Sequence, residues 1–256
     1  MGLRLSWEHV SASVAGTSHI EADMPCQDRC VASINYQDSR PWLAIFVADG
    51  AGSAECAEQG AEMAIEAAQA YFDTLMHEPE FGLSDLLAVE FIKTIRERIY
   101  SAAAAEGKTA RDFACTFLGL ISSDLGTLTF QIGDGGIVLD IGNGLELAIS
   151  PMGGEYANMT YFVTDEDAID HLETKPFVGH VERAAVFSDG VQRLAINLVD
   201  QKPHEPFFAP FFGVLTTMDE AKRSQLEPAL VRFLSSEQVN MRTDDDKSMV
   251  VAVWRG

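Results

Sequence analysis

Three aspartates stand where apolar stretches of this chain begin or end, and their chemistry calls for an explanation. Asp49 ends the stretch AIFVAD and precedes Gly50, and Asp189 ends AAVFSD and precedes a glycine. Asp245 stands just before the apolar stretch KSMVVAVW. A single Asp-Gly pair indicates an ordinary hairpin turn. If these strand ends meet, however, several carboxylates share one small space.

Two further carboxylates, in Gln27-Asp28 and Gly133-Asp134-Gly135, also lie at predicted strand ends. Like charges a few ångströms apart raise one another's pKa, and a bound cation removes that conflict. No His or Cys stands at a suitable spacing to join them, and ligand sets made only of oxygen favour Mg²⁺ or Mn²⁺. Two such ions about 3.5–4 Å apart activate a bridging water and bind a phosphoryl group. The pattern therefore predicts metal-assisted phosphoester hydrolysis.

Other routes to this chemistry lack their motifs. The chain has no G-x-S-x-G nucleophile elbow, no phosphate loop of a thiol phosphatase and no GxxxxGK[ST] P-loop. The segment GDGG is too short and misplaced for a dinucleotide fingerprint. No side-chain nucleophile is therefore expected. From these residues alone, an unrelated two-metal phosphodiesterase remains an alternative.

The composition indicates one strongly acidic chain with a substantial core. Its 256 residues are 47% hydrophobic and carry a net charge of −21, which repels nucleic acid and anionic membranes. No apolar run reaches the roughly 18 residues of a membrane span, and the first residues lack the pattern of a signal peptide. The cysteines form no CxxC pair and are interpreted as reduced thiols, so we expect a cytoplasmic protein.

The apolar periodicity predicts many strands, interrupted by two long consecutive helices. Strands are predicted at residues 3–13, 31–34, 42–47, 113–121, 128–132, 137–141, 159–163, 177–178, 184–187 and 247–254. Helices are predicted from 54 to 75 and from 84 to 107, and at 219–226 and 229–234. The phenylalanine pairs at 207–208 and 211–212 are interpreted as core beneath a loop. Two successive long helices do not fit repeated βαβ winding and favour two packed sheets with helices outside.

Six segments carry a resemblance to a known family. PCQDR, VADGAGSA, ACTFLGLI, QIGDGGIVL, VFSDGVQRL and DDKSMVVAV occur in that order, from about residue 13 to the C-terminus. Together they resemble the metal-dependent type-2C protein serine/threonine phosphatases (PPM type), in a compact bacterial branch. The resemblance implies an α+β fold, a four-layer αββα sandwich of two antiparallel sheets flanked by helix pairs. It implies a single catalytic domain over residues 1–256, with the metal site at one end.

The resemblance also assigns roles to individual residues. Asp49 matches the aspartate that bridges two metals, and Gly50 matches the residue whose backbone carbonyl binds the second metal. Asp189 and Asp245 match the aspartates that complete the first metal site. Asp134 matches an aspartate associated with a third metal in some members. Asp49, Asp189 and Asp245 are therefore the predicted catalytic residues.

Some residues near the predicted metal ligands differ from the family pattern. Asp28 matches the last residue of the family's Glu-Asp pair and belongs to the predicted metal site. Gln27 replaces the glutamate and adds no charge, so its predicted role in the metal site is to support a metal-bound water. Asp23 stands where animal members carry a phosphate-binding arginine, so His19 or Arg29 is the candidate for that contact.

Two further departures concern the leaving group and the flap. Ala51 stands where some members carry a histidine proposed as general acid. The short interval between Asp134 and Asp189 implies a reduced flap subdomain, with residues 152–156 as a candidate substrate loop.

The resemblance implies hydrolysis of phosphoserine and phosphothreonine in proteins, by direct attack of a water that bridges two divalent metals. The implied cofactors are two Mn²⁺ or Mg²⁺ ions, with a third in some members. The implied partners are a phosphoprotein substrate and a Ser/Thr kinase, with no nucleic acid and no membrane. The substitutions at Asp23, Gln27 and Ala51 keep one alternative open, a catalytically silent module of the same fold that regulates a kinase or another signalling partner.

Overall fold

A computed structural model describes residues 6–78, 81–149, 160–197 and 199–256. Strands β1 to β12 are, in order, Ser6–Val14, Asp28–Gln37, Arg40–Asp49, Phe117–Ser123, Gly126–Ile132, Gly136–Asp140, Glu146–Leu147, Glu173–Phe177, Arg183–Phe187, Ile196–Asn197, Lys202–Pro203 and Lys247–Arg255. Helices α1 to α7 are Thr17–Glu21, Ala57–Leu75, Asp85–Glu106, Asp189–Ala195, Glu205–Thr217, Leu226–Leu234 and Glu237–Asn240.

Most of these strands form two antiparallel sheets. Within the described residues, one sheet has the order β1-β12-β9-β6-β7 and the other has the order β2-β3-β4-β5-β8. Strands β10 and β11 pair separately as a two-stranded ribbon. The longest pairing joins β2 and β3 in register from Asp28 opposite Asp49 to Gln37 opposite Arg40.

The alternation of side chains along β3 shows how the layers stack. Ile45 and Val47 belong to the apolar cluster between the two sheets, which also contains Ile137 and Val186 from the facing sheet. Phe46 points the other way, into the cluster that β3 shares with helices α2 and α3. Successive residues of a strand point to opposite faces, so a strand buried on both sides is apolar throughout. This accounts for the continuous apolar stretch that ends at Asp49.

Helix pairs cover the outer faces of both sheets. Helices α2 and α3 pack on the β2-β3-β4 face, and the apolar sides of α5 and α6 pack on the β1-β12-β9 face. The expected four-layer αββα sandwich is thereby confirmed. No helix among the described residues has the length and apolar character that crossing a bilayer requires.

Two sequence-based assignments were wrong. Residues 160–163 do not form a strand, because the chain turns there and the Phe162 amide donates to the Asp165 carboxylate at 2.8 Å. The region of the phenylalanine pairs is helix α5 rather than a loop. Phe208 and Phe212 are buried on one face of that helix, as their spacing of four residues requires. The proposed substrate loop at 152–156 lies outside the described residues.

Candidate active site

The first pair of acids meets through strand pairing. Strand β3 ends at Asp49, β2 begins at Asp28, and the register places these two residues opposite each other. Thr116 fixes the backbone of Asp49 from the next strand. The Asp49 amide donates to Thr116 Oγ1 at 3.1 Å, and the Thr116 amide donates to the Asp49 carbonyl at 2.8 Å. The end of this strand is therefore held at a defined position.

The second sheet brings Asp189 and Asp245 to the same edge. Asp189 follows β9 and Asp245 precedes β12, and these two strands pair with each other. Ser188 ties this edge to the first sheet, because its hydroxyl donates to Asp28 Oδ2 at 2.6 Å. The same hydroxyl accepts the Ser248 amide at 2.9 Å. Sequence reasoning missed Ser188, which had no signal beyond its position next to Asp189.

The predicted metal ligands converge on one cleft. Its volume is about 190 Å³, and the residues that line it include Gln27, Asp49, Gly50, Asp134, Asp189 and Asp245. Asp28 lies fully buried behind this surface, in contact with Asp49. Carboxylates predicted from separate strand ends are thus together in one place.

Asp134 enters the cleft from the loop between β5 and β6, and neighbouring side chains hold that loop. Thr160 Oγ1 donates to Asp134 Oδ2 at 2.8 Å, and Gln192 Nε2 donates to the Asp134 carbonyl at 2.8 Å. Gln192 lies on α4, so the helix that begins with Asp189 also orients Asp134. The two acids are therefore positioned as a unit.

Burial and mutual repulsion perturb the central acids. Burial raises the pKa of Asp28, of Asp49 and of Asp189 above the ordinary value of an aspartate. Neighbouring carboxylates raise the pKa of Asp49 and Asp189 further, with Asp28 acting on Asp49 and Asp134 acting on Asp189. Such a cluster must either take up protons or bind a cation.

The donor atoms fit a hard dication. Asp28 Oδ1, Asp189 Oδ1 and Gln27 Oε1 are buried and have no hydrogen-bond partner among the described residues. The Asp49 carboxyl contacts those of Asp28 and Asp189 directly. In the described part of the chain, no set of three or more His, Cys, Asp or Glu side chains is already arranged to hold a metal ion. A bound ion would separate the carboxylates and use their free oxygens.

Gly50 has a packing role beside its predicted role as a carbonyl ligand. A Cβ atom at this position would lie 2.7 Å from the Ala57 carbonyl oxygen and 2.9 Å from that of Gln27. The Gly50 amide also donates to the Gln27 carbonyl at 3.2 Å. Only glycine allows the chain to pass this close to both backbones.

Asp246, which the sequence did not single out from its acidic neighbours, organises one wall of the cleft. It is buried, and its carboxylate accepts the Gly16 amide at 2.6 Å and the Gln27 amide at 2.5 Å. His19 Nδ1 lies 2.8 Å from Asp246 Oδ2, although without hydrogen-bond geometry. His19 thereby lines the cleft.

Arg29 is placed differently from His19 and is not among the residues that line the cleft. Its guanidinium donates to the carbonyls of Cys26 and Asp28, at 2.8 Å each, and to Glu58 Oε1 at 2.5 Å. These bonds fix the turn that precedes β2. The phosphate contact predicted for His19 or Arg29 is therefore easier to make from His19.

Comparison with known proteins agrees with this architecture. A family model described as protein phosphatase 2C matches residues 15–235. The chain is 51% identical over 251 residues to serine/threonine-protein phosphatase 3 of Escherichia coli (strain K12), covering 98% of this chain and 99% of that relative.

Solved structures share the fold at low sequence identity. The S. agalactiae serine/threonine phosphatase matches with a TM-score of 0.62 at 14% identity, covering 96% of this chain and 99% of its own. RsbX in complex with magnesium matches with a TM-score of 0.55 at 13% identity, covering 97% and 95%. The family match, the full-length relative and the observed sandwich agree, and the chain belongs to the protein phosphatase 2C family.

Proposed function

We propose that this phosphatase binds two Mn²⁺ or Mg²⁺ ions in the acidic cleft and hydrolyses phosphoserine and phosphothreonine in proteins. The activity rests on family membership and on the full-length identity to a serine/threonine-protein phosphatase. Phosphatases of this family depend on metal. The convergence of Asp49, Asp189 and Asp245 on one cleft carries the assignment of the ions to this place, and the magnesium bound by RsbX supports a hard dication.

Different residues around the cleft would supply different ligands to the ions. Asp49, Asp189 and Asp245 would supply carboxylate oxygens, the Gly50 carbonyl would add a neutral ligand, and Asp134 would serve a third position. When bound, the ions supply a water of lowered pKa as nucleophile and positive charge against the phosphoryl oxygens. Asp28 acts from behind, because its contacts with Asp49 and Ser188 orient the ligands.

Hydroxyl and thiol groups of the described residues offer no competing nucleophile at this place. Neither serine nor cysteine lines the cleft within the described residues. The nearby Cys115 is fully buried, and burial raises the pKa of its thiol far above the ordinary value. The hydroxyls of Thr116 and Thr160 are used to hold Asp49 and Asp134. We therefore assign the attack to a water, as the family resemblance implies, and assign His19 and the aspartates of the cleft to binding.

His19 is the proposed contact for the substrate phosphate, in the role that the family's arginine has elsewhere. Its imidazole stands beside Asp246 at the cleft wall, and a protonated imidazole would attract a phosphate dianion. The alternative of a catalytically silent module loses support, because the predicted catalytic aspartates all line the same cleft. A Ser/Thr kinase that installs the phosphates removed here remains the expected partner.

The test is hydrolysis of p-nitrophenyl phosphate and of a phosphothreonine peptide by the purified protein with Mn²⁺, with Mg²⁺ and with EDTA. Activity should require an added ion and should fall by at least about a hundredfold in Asp189→Asn, because one metal ligand loses its charge. Asp170→Asn, which changes an exposed aspartate outside the cleft, serves as the control. Full activity in EDTA, or in Asp189→Asn, would reject the proposal.

A further inference from the structure

A second cavity adjoins the catalytic cleft. Its volume is about 320 Å³, and Asp189 and Asp245 line both cavities. Asp49, Gly50 and Asp134 line only the catalytic cleft. The second cavity therefore lies beside the acids that are proposed to hold metal, in a position to receive a part of the substrate other than the transferred phosphoryl group.

Two arginines from different elements line this second cavity. Arg193 comes from α4 and Arg242 from the segment that follows α7. Both are exposed, and neither guanidinium group makes an ion pair or a hydrogen bond with any residue that the structure describes. Some other arginines pair with acids, as in Arg29 with Glu58 and Arg183 with Asp140. Arg98, Arg111 and Arg232 also lack an ion pair within the described residues. The distinguishing feature of Arg193 and Arg242 is therefore that they line one cavity together.

Arg193 and Arg242 bring two positive charges to one cavity of a strongly acidic chain. The chain contains 39 Asp and Glu residues but only 18 Lys and Arg residues, so an arginine has many carboxylates available as partners. The cavity itself also contains Asp189, Asp244 and Asp245. Once bound dications neutralise Asp189 and Asp245, two guanidinium groups remain against the single carboxylate of Asp244. This step rests on the function proposed above.

We propose that Arg193 and Arg242 bind a carboxylate of the substrate protein, on an acidic residue next to the phosphorylated serine or threonine. Guanidinium groups match carboxylates through paired hydrogen bonds, which gives geometric selectivity as well as attraction. The two arginines thereby make the enzyme selective for acidic phosphorylation sites and compensate for the repulsion that a chain of net charge −21 exerts on such substrates.

The experiment compares three substrates in the presence of Mn²⁺. They are a phosphothreonine peptide with flanking glutamates, the same peptide with glutamines, and p-nitrophenyl phosphate. Wild type should prefer the glutamate peptide. The double variant Arg193→Gln/Arg242→Gln should raise KM for that peptide by about tenfold at unchanged kcat, with the effect confined to the glutamate peptide. Arg98→Gln/Arg232→Gln, which removes two exposed arginines on α3 and α6, is the control of equal charge change.

Charge reversal provides a second measurement. Arg193→Glu/Arg242→Glu should favour a peptide with flanking lysines over the glutamate peptide, which a loss of folding would not produce. An equal loss on p-nitrophenyl phosphate would overturn the proposal, because the arginines would then bind the transferred phosphoryl group. Equal KM values for both peptides in wild type would also overturn it.

Failure of the proposed function would be distinguishable from failure of this inference. If wild type hydrolyses none of the three substrates, fluorescence anisotropy of labelled peptides with Mn²⁺ present decides the matter. Tighter binding of the glutamate peptide, lost in the double variant, supports the site without the reaction. Equal binding by wild type and double variant overturns it.

Discussion

The two glycines near Asp49 stand in contrasting environments within three residues of each other. Gly50 lies against two backbone carbonyls, whereas a Cβ atom on Gly52 would meet nothing within 4 Å. Both line the catalytic cleft. Close backbone neighbours therefore require a glycine at position 50 but not at position 52. Alanine substitutions at these two positions form a matched pair of variants.

Gly50→Ala should lower the free energy of unfolding by about 1–3 kcal/mol, because the methyl group forces the Ala57 or Gln27 backbone to move. The same movement displaces Asp49 and should reduce phosphatase activity. Gly52→Ala should change stability by less than about 0.5 kcal/mol. Urea unfolding of both variants measures the difference, and equal stabilities would show that the backbone at Gly50 adapts without strain.

At the scale of elements, one ion pair joins β6 to β9. Asp140 and Arg183 are opposite each other in the register, and the Arg183 guanidinium donates to Asp140 Oδ2. The amides of Gly142 and Gly144 donate to the other oxygen at 2.8 and 2.9 Å. Burial acts to raise the pKa of Asp140, but these hydrogen bonds outweigh it and hold the pKa below its ordinary value.

The lowered pKa of Asp140 predicts a pH-dependent contribution to stability. An acid with a lowered pKa in the folded state stabilises the protein above its ordinary pKa of about 3.9, and that contribution disappears as the pH falls through the lower folded value. Asp140→Asn should therefore cost about 1–3 kcal/mol at pH 7 and progressively less as the pH drops below about 4.

Urea unfolding at pH 7 and near pH 3 checks this dependence on ionisation. Asp124→Asn removes a partner of Arg40 in an exposed pair and should cost less than about 0.5 kcal/mol at either pH. A loss of stability in Asp140→Asn that is the same at both pH values would contradict the assignment.

Prediction from sequence succeeded where local pattern and three-dimensional environment agree. The helices at Ala57–Leu75 and Asp85–Glu106 have apolar stripes, and the second ends at Gly107, whose φ of 68° suits a helix cap. Helix α5 was missed because Pro210 inside it weakens its helical signal, although its phenylalanines have helical spacing. The strand expected over 159–163 was predicted from its apolar content alone. Residues 160–163 pair with no strand of the described sheets.

The residues of the candidate site also divide into those that the sequence predicted and those that it missed. The aspartates at strand ends were visible because a carboxylate after an apolar stretch is a local signal. Ser188 and Asp246 were not, because their roles depend on partners such as Asp28 and Gly16, distant in sequence. Arg193 and Arg242 are also far apart along the chain and line one cavity only in the folded protein.

At the scale of the whole molecule, the cleft takes acids from both sheets, so a bound ion connects the two halves of the sandwich. An ion that binds only the folded protein stabilises it by about 2.7 kcal/mol at a concentration of 100 Kd. For a chain of this size that corresponds to a rise in Tm of roughly 5–10 °C.

Thermal unfolding at increasing Mn²⁺ concentration measures this linkage without reference to activity. Tm should rise with Mn²⁺ in wild type and rise much less in Asp189→Asn, which removes a carboxylate supplied by the β9 side. A Tm independent of Mn²⁺ up to millimolar concentration would show that the cleft does not bind the ion.

The place of β12 inside its sheet has a consequence for synthesis. This strand lies between β1 and β9, and Asp245 stands two residues before it. A nascent chain that has not yet exposed Lys247–Arg255 cannot join β1 to β9 within this sheet. We therefore expect phosphatase activity to appear only after this last strand has been synthesised.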